Sequence, residues 1–285
     1  MKPAAFTYHA PETVEEAVGL LGRFGPDGAR IIAGGQSLVA MMAFRLARPG
    51  HLIDINGIAA LSRIAVVADV LRIGALVRHA AIEDGAVPGR LGVLLSAMAG
   101  KVAHRPVRNR GTFCGSLVNA DPSSEWCLAV ATLDGFLVLR SARGERVVPA
   151  STFFQGVMTT DLAEDEMVVE AGIPVLAEDA RFGFDEVSRR AGDFAMAAGL
   201  VTYRLQAGVM RQVRLGVGGV EPHPRRVAGA EAVLQGVAPG AEVFARAAAC
   251  AADATHPMED GQTPPDYRRR LVETVILRAL EASAV

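Results

Sequence analysis

The stretch Arg30-Ile31-Ile32-Ala33-Gly34-Gly35-Gln36-Ser37-Leu38 joins a short apolar run to a helical pattern through two adjacent glycines. The isoleucines favour a buried strand, and residues 37–46 favour a helix. Adjacent glycines permit positive φ and close backbone approach, so successive N–H groups before a helix can enclose a phosphate or pyrophosphate. Ser37 adds a hydroxyl donor. The same stretch is also typical of an ordinary Gly-Gly turn between a strand and a helix.

Two familiar phosphate-binding signatures are absent from this loop. It contains no GxxxxGK[ST] pattern, which excludes a P-loop. It contains no GxGxxG pattern, which excludes the Rossmann fingerprint.

A second stretch combines glycines with hydroxyl, amide and acidic side chains: Arg108-Asn109-Arg110-Gly111-Thr112-Phe113-Cys114-Gly115-Ser116, followed by Ala120-Asp121-Pro122-Ser123-Ser124-Glu125. We expect residues 107–121 to form a loop and residues 122–133 a helix capped by Asp121. Thr112 and Ser116 could donate to phosphate, while Asn119, Asp121 and Glu125 could accept from sugar hydroxyls. Alternatively, Asp121 and Ser124 serve only to cap the helix.

The remaining pattern mixes strands and helices without regular alternation, which indicates an α+β fold. Thr13 and Glu16 predict a capping box at the start of a helix. Beyond Pro174, residues 182–187, 195–206 and 209–220 predict a three-stranded antiparallel sheet, and helices follow. We expect one domain over residues 1–176, with subdomains of about 1–57 and 58–176, and a second over residues 177–285.

Composition excludes several classes of protein. The chain has 285 residues, of which 51% are hydrophobic, and a net charge of −2, which gives no sign of nucleic-acid binding. No apolar run approaches the roughly 20 residues of a membrane span, and no secretory signal is present.

Three cysteines favour a cytoplasmic location. They are also too few for an all-cysteine iron–sulfur cluster, which needs about four ligands. No HxH or HExxH pattern indicates a metal site.

The two loops together resemble the FAD-binding medium subunits of molybdenum hydroxylases, the family of xanthine dehydrogenase and carbon monoxide dehydrogenase. A third motif, Ser188-Arg189-Arg190-Ala191-Gly192-Asp193-Phe194-Ala195, supports the resemblance, which covers essentially the whole chain in order. It implies a two-part FAD-binding domain of the vanillyl-alcohol-oxidase-like (PCMH) type. A smaller C-terminal domain of the carbon monoxide dehydrogenase flavoprotein type would follow.

The resemblance also implies which residues bind FAD. The first loop and its flanks would hold the pyrophosphate and adenosine: Arg30, Ile31, Ile32, Ala33, Gly34, Gly35, Gln36, Ser37 and Leu38. The second loop would contact the phosphates, ribityl and flavin through Thr112, Gly115, Ser116, Val118, Asn119, Ser124 and Glu125. Val102 and Gly111 would flank the site, and Val168 would lie beside the flavin. Many relatives carry glycine at position 114, and some carry lysine near position 185, where this chain has Cys114, Asp185 and Glu186.

The resemblance implies partners as well. A large subunit would hold molybdopterin and oxidise the substrate, and a small subunit would hold two [2Fe–2S] clusters, as a dimer of heterotrimers. This chain would pass electrons through FAD to an external acceptor, so no side chain need act as general acid or base. Two alternatives stay open: a self-sufficient flavin-dependent oxidoreductase, and a non-catalytic subunit that has lost FAD.

Overall fold

The computed structural model describes residues 2–259, 261 and 263–284, so the predicted domain limits at residues 1 and 285 lie outside the described residues. The first unit is small and comprises β1 (Thr7–His9), α1 (Val14–Phe24), β2 (Arg30–Ile32), α2 (Leu38–Ala43) and β3 (His51–Asp54). Its sheet is parallel in the order β1-β3-β2. The capping box is confirmed, since Thr13 Oγ1 accepts the N–H of Glu16 at 3.1 Å.

A five-stranded antiparallel sheet in the order β4-β5-β10-β6-β7 forms the second unit, surrounded by helices. Its elements are a 3₁₀ turn (Ala59–Ser62), β4 (Ile64–Val67), β5 (Val70–Gly74), α3 (His79–Glu83), α4 (Gly89–Ala99), α5 (Arg105–Arg108), α6 (Phe113–Asn119), α7 (Glu125–Thr132), β6 (Phe136–Ser141), β7 (Gly144–Pro149), α8 (Ala150–Phe153), β8 (Phe154–Gly156), β9 (Thr159–Thr160) and β10 (Met167–Pro174). One hydrophobic core joins this unit to the first.

The last unit is an antiparallel sheet covered by helices. It comprises β11 (Ala180–Val187), β12 (Ala197–Gln206), β13 (Val209–Gly218), β14 (Arg225–Arg226), α9 (Ala228–Leu234), α10 (Ala241–Asp253) and α11 (Pro265–Ser283). The three predicted strands are present, and the two-residue β14 adds a fourth at the edge of β13. This sheet and its helices share a second hydrophobic core. Gly183 lets α11 approach closely, because a Cβ there would lie 1.8 Å from the carbonyl oxygen of Ala279.

Two predictions in the second loop are wrong. Residues 107–121 are not all loop, since they contain the last two residues of α5 and the whole of α6, whose Phe113 and Leu117 are fully buried. The next helix begins at Glu125 rather than Pro122, and its N-cap is Ser124 rather than Asp121. Asp121 instead accepts the N–H of Ser123 at 2.9 Å, which makes a turn before the helix.

Candidate functional site

A cavity of about 550 Å³ lies where the first unit meets the five-stranded sheet. Of the nineteen residues predicted to bind the cofactor, sixteen line it: Arg30, Ile31, Ile32, Ala33, Gly34, Gly35, Gln36, Ser37, Leu38, Gly111, Thr112, Gly115, Ser116, Val118, Asn119 and Val168. Two stretches that are more than 70 residues apart in sequence therefore face a single space. Its size is within the roughly 300–1,000 Å³ of ordinary ligand pockets.

The first loop crosses the second at their glycines. A Cβ on Gly34 would lie 2.4 Å from the carbonyl oxygen of Arg110 and 2.7 Å from the Cα of Gly111, so only glycine allows this approach. Gly35 has a φ of +72°, in the left-handed region that favours glycine. Within the part of the chain that the structure describes, the backbone N–H groups of residues 34–37 donate to no protein acceptor. They are thus available to an anion in the cavity.

The second loop is held by its own cap. Thr112 Oγ1 accepts the N–H of Gly115 at 3.1 Å and begins α6, which brings Ser116 and Asn119 to the cavity. Thr112 also pairs with Arg78 in an isolated β-bridge. Cys114 is helical and buried, and its thiol donates to the carbonyl of Ile73 at 3.5 Å. This position therefore does not need a glycine conformation.

Three predicted residues do not line the cavity. Val102 is buried in the core, and Ser124 caps α7 by accepting the N–H of Cys127 at 3.4 Å. Glu125, at the start of α7, is half-buried, and burial raises its pKa to about 8, assisted by the charges of Glu186 and Asp121.

The position where some relatives carry a lysine is acidic here, and neither Asp185 nor Glu186 lines the main cavity. Burial raises the pKa of Glu186 to about 6, although the charge of Lys101 opposes this shift. Glu186 and Lys101 share a second, smaller pocket of about 290 Å³, which also includes His104 and Gly192. The C-terminal unit therefore meets the second loop through a group of titratable side chains.

Sequence reasoning missed several residues that line the main cavity: Leu21, Ala29, Met41, Ala47, Ile55, Ala75, His79, Cys114, Met158, Thr160, Leu162, Ala163, Glu164, Glu166 and Met167. Most of these residues belong to neither motif. Strand pairing or a turn of the chain brings them to the cavity. On the β10 side of the cavity, Val168, which is next to Met167, was the only residue predicted from the sequence. His79 carried a weak signal, because a histidine directly after a buried strand and turn is a candidate polar group at a sheet edge.

The chemistry of this cavity fits FAD. The free N–H groups of residues 34–37 suit a pyrophosphate. The hydroxyl and amide groups of Thr112, Ser116 and Asn119 suit ribityl and ribose hydroxyls. Ala75, Leu162 and Val168 supply an apolar wall suited to an aromatic ring system.

Comparison with known proteins agrees with this chemistry. Residues 4–176 match the model of the FAD binding domain in molybdopterin dehydrogenase, and residues 182–283 match that of the CO dehydrogenase flavoprotein C-terminal domain. No helix of the described chain combines the length and apolar character required to cross a membrane.

Individual relatives align over almost the whole chain. The nicotine 6-hydroxylase medium subunit of Paenarthrobacter nicotinovorans is 35% identical over 100% of this chain and 99% of its own. A structure of carbon monoxide dehydrogenase from Hydrogenophaga pseudoflava, which lacks the Mo-pyranopterin moiety of its cofactor, superposes with a TM-score of 0.94 at 36% identity, over 100% of this chain and 99% of that one. For quinoline 2-oxidoreductase from Pseudomonas putida 86 the TM-score is 0.93 at 33% identity, over 100% and 98% of the two chains. This chain belongs to the family of FAD-binding medium subunits of molybdenum hydroxylases.

Proposed function

We propose that this chain carries FAD in the main cavity and transfers electrons between the iron–sulfur clusters of a partner subunit and an external acceptor. One observation carries the proposal: the two loops meet at Gly34 and Gly111, beside four backbone N–H groups that have no acceptor among the described residues. Bound FAD supplies the redox chemistry, because it can take up electrons singly and release them as a pair.

The chain's own residues bind and orient the cofactor. We assign the pyrophosphate to residues 33–37 and the ribityl and flavin portions to the second loop and Val168. Ser124 and Glu125 lie outside the cavity wall and would reach the cofactor only at its flavin end. Val102 then supports the site from the core.

We further propose that the chain works in a complex with a molybdopterin-binding large subunit and a small subunit with two [2Fe–2S] clusters, as a dimer of heterotrimers in the cytoplasm. The three cysteines support this division, because Cys114 and Cys127 are buried in the first hydrophobic core while Cys250, in α10, packs against the second. Substrate choice would belong to the large subunit. The second hydrophobic core contains only residues beyond 177, which supports the division into domains 1–176 and 177–285. Four residues of the second domain, Ala180, Ala195, Ala198 and Leu200, pack into the first core and join the two domains.

Spectra and turnover of the full chain, alone and in its native complex, test this function. We expect flavin absorbance in both preparations, substrate oxidation only in the complex, and flavin reduction only when the iron–sulfur subunit is present. Turnover by the chain alone would favour the self-sufficient oxidoreductase. A folded chain that is colourless alone and in the complex, and takes up no added FAD, would indicate that the cofactor has been lost.

A further inference from the structure

His79 is a buried polar residue that the FAD motifs do not include. It begins α3, is 3% exposed and lines the main cavity. Its backbone N–H donates to the carbonyl of Gly111 at 3.1 Å, which ties it to the second loop. A histidine in such a position needs hydrogen-bond partners on both ring nitrogens, because an unpaired buried polar group is costly.

Trp126 determines the tautomer of His79. The indole Nε1 lies 3.0 Å from Nδ1 of His79, and an indole N–H is only a donor. Nδ1 must therefore be the unprotonated acceptor, and the neutral ring carries its proton on Nε2. Burial lowers the pKa of His79 to about 4, and the charges of Arg78 and Arg108 act in the same direction. The ring is thus neutral near pH 7.

The Nε2 edge of the ring lies against Gly111. A Cβ on Gly111 would lie 2.6 Å from Nε2 and 2.7 Å from Cδ2, so the glycine leaves this edge uncovered by a side chain. The same glycine meets Gly34 of the first loop. Across residues 2–259, 261 and 263–284, Nε2 makes no hydrogen bond to a protein acceptor. The ring therefore offers one N–H at the point where the two loops cross.

We propose that the Nε2–H of His79 donates a hydrogen bond to an oxygen in the pyrophosphate–ribityl portion of bound FAD, and that Trp126 is a positioning residue that holds the donor tautomer. This inference rests on the proposed function, since it requires FAD in the cavity. A neutral donor suits this location, because it contacts the cofactor without adding charge beside Arg78 and Arg108.

Equilibrium titration of the full apoprotein with FAD, followed by flavin fluorescence, tests the donor. His79→Leu removes the N–H, and we expect FAD to bind at least tenfold more weakly. His79→Gln keeps an amide N–H at similar reach and should stay within about threefold of wild type. His223→Leu, in the C-terminal unit, is the matched control and should leave the dissociation constant unchanged. Equal affinity of wild type and a folded His79→Leu would overturn the proposal.

Nitrogen-15 NMR of the wild-type histidines tests the tautomer without any variant, in case His79→Leu does not fold. We expect His79 as the Nε2–H form, with its Nε2 resonance shifting on addition of FAD, and a mixture of tautomers in Trp126→Phe. A ring in the Nδ1–H form, or an Nε2 resonance that FAD does not move, would overturn the proposal. Failure of the folded wild-type chain to bind FAD, alone or in its complex, would instead refute the proposed function itself.

Discussion

Arg78 donates to the side-chain oxygen of Asn56 at 2.6 Å, and the pair links the two loops that border the cavity. Asn56 donates to the carbonyl of Ala33 at 2.8 Å, and Arg78 donates to the carbonyl of Arg110. Asp54 Oδ1 accepts the backbone N–H of Asn56 at 2.9 Å and the side-chain N–H of Asn56 at 2.6 Å. These two bonds hold the Asn56 amide in place. The spacing of the loops therefore depends on side chains outside both motifs.

Breaking this link should weaken FAD binding without unfolding the chain. We expect Asn56→Ala and Arg78→Met each to raise the FAD dissociation constant about fivefold to tenfold, since each removes hydrogen bonds worth about 1 kcal/mol net. The double variant should lose much less FAD-binding free energy than the two single variants lose in sum, because both residues act through one link. Arg63→Met, at an exposed position, is the control. Full additivity in the double-mutant cycle would show that the two residues act separately.

Gly34 should be intolerant of any side chain. Gly34→Ala would place its Cβ against the backbone of Arg110 and Gly111, which cannot move aside as a flexible side chain can. We expect FAD affinity to fall by at least tenfold while the C-terminal unit stays folded. Gly19→Ala is the matched control, because Gly19 is exposed in α1 and the new Cβ would have no atom within 4 Å beyond the local backbone of its own helix. It should be neutral or slightly stabilising. If Gly34→Ala retained stoichiometric FAD, the assignment of this loop to the FAD site would be wrong.

Glu125 should make the apoprotein less stable as the pH rises. Its pKa is raised to about 8 in the folded chain, above the ordinary value of 4.5, so the folded state binds its proton more tightly than the unfolded state. Stability from this group is complete below about pH 4.5 and is lost as the pH rises towards 8. Glu125→Gln removes the titration and should exceed wild type in unfolding free energy by about 2 kcal/mol at pH 8, after allowance for its partial exposure.

Urea unfolding of the apoprotein at pH 5 and pH 8 measures this difference. Glu242→Gln, at an exposed position in α10, is the control and should not change the pH dependence. An equal pH dependence in wild type and Glu125→Gln would contradict the raised pKa.

The contact between α7 and β13 should tolerate no larger residue at position 216. A Cβ on Gly216 would lie 1.8 Å from Oγ1 of Thr132, which is fully buried. We expect Gly216→Ala to destabilise the chain by about 1–3 kcal/mol through overpacking. Adding Thr132→Ala should recover part of this loss by clearing the contact, as urea unfolding of both variants would show. Wild-type stability in Gly216→Ala alone would mean that the helix can move away freely.

Short-range signals in the sequence predicted most of the fold. The capping box at Thr13 and the three long C-terminal strands follow from spacing over a few residues, and the structure has both. The helix α6 was missed because it is only seven residues long and contains a glycine and a serine, which are poor helix formers. Burial of Phe113, Cys114 and Leu117 stabilises it in the folded protein. Such burial is a tertiary effect that no local pattern contains.

The sequence by itself determined the family and the two glycine-containing loops, because these depend on backbone freedom and on donors that lie close together along the chain. Only the tertiary structure decided that Gly34 meets Gly111, that Asn56 and Arg78 link the loops, and that Trp126 orients His79. These contacts join residues 22 to 77 positions apart. They exist because the parallel three-stranded unit and the five-stranded sheet pack around one hydrophobic core, which brings their connecting loops to the same cavity.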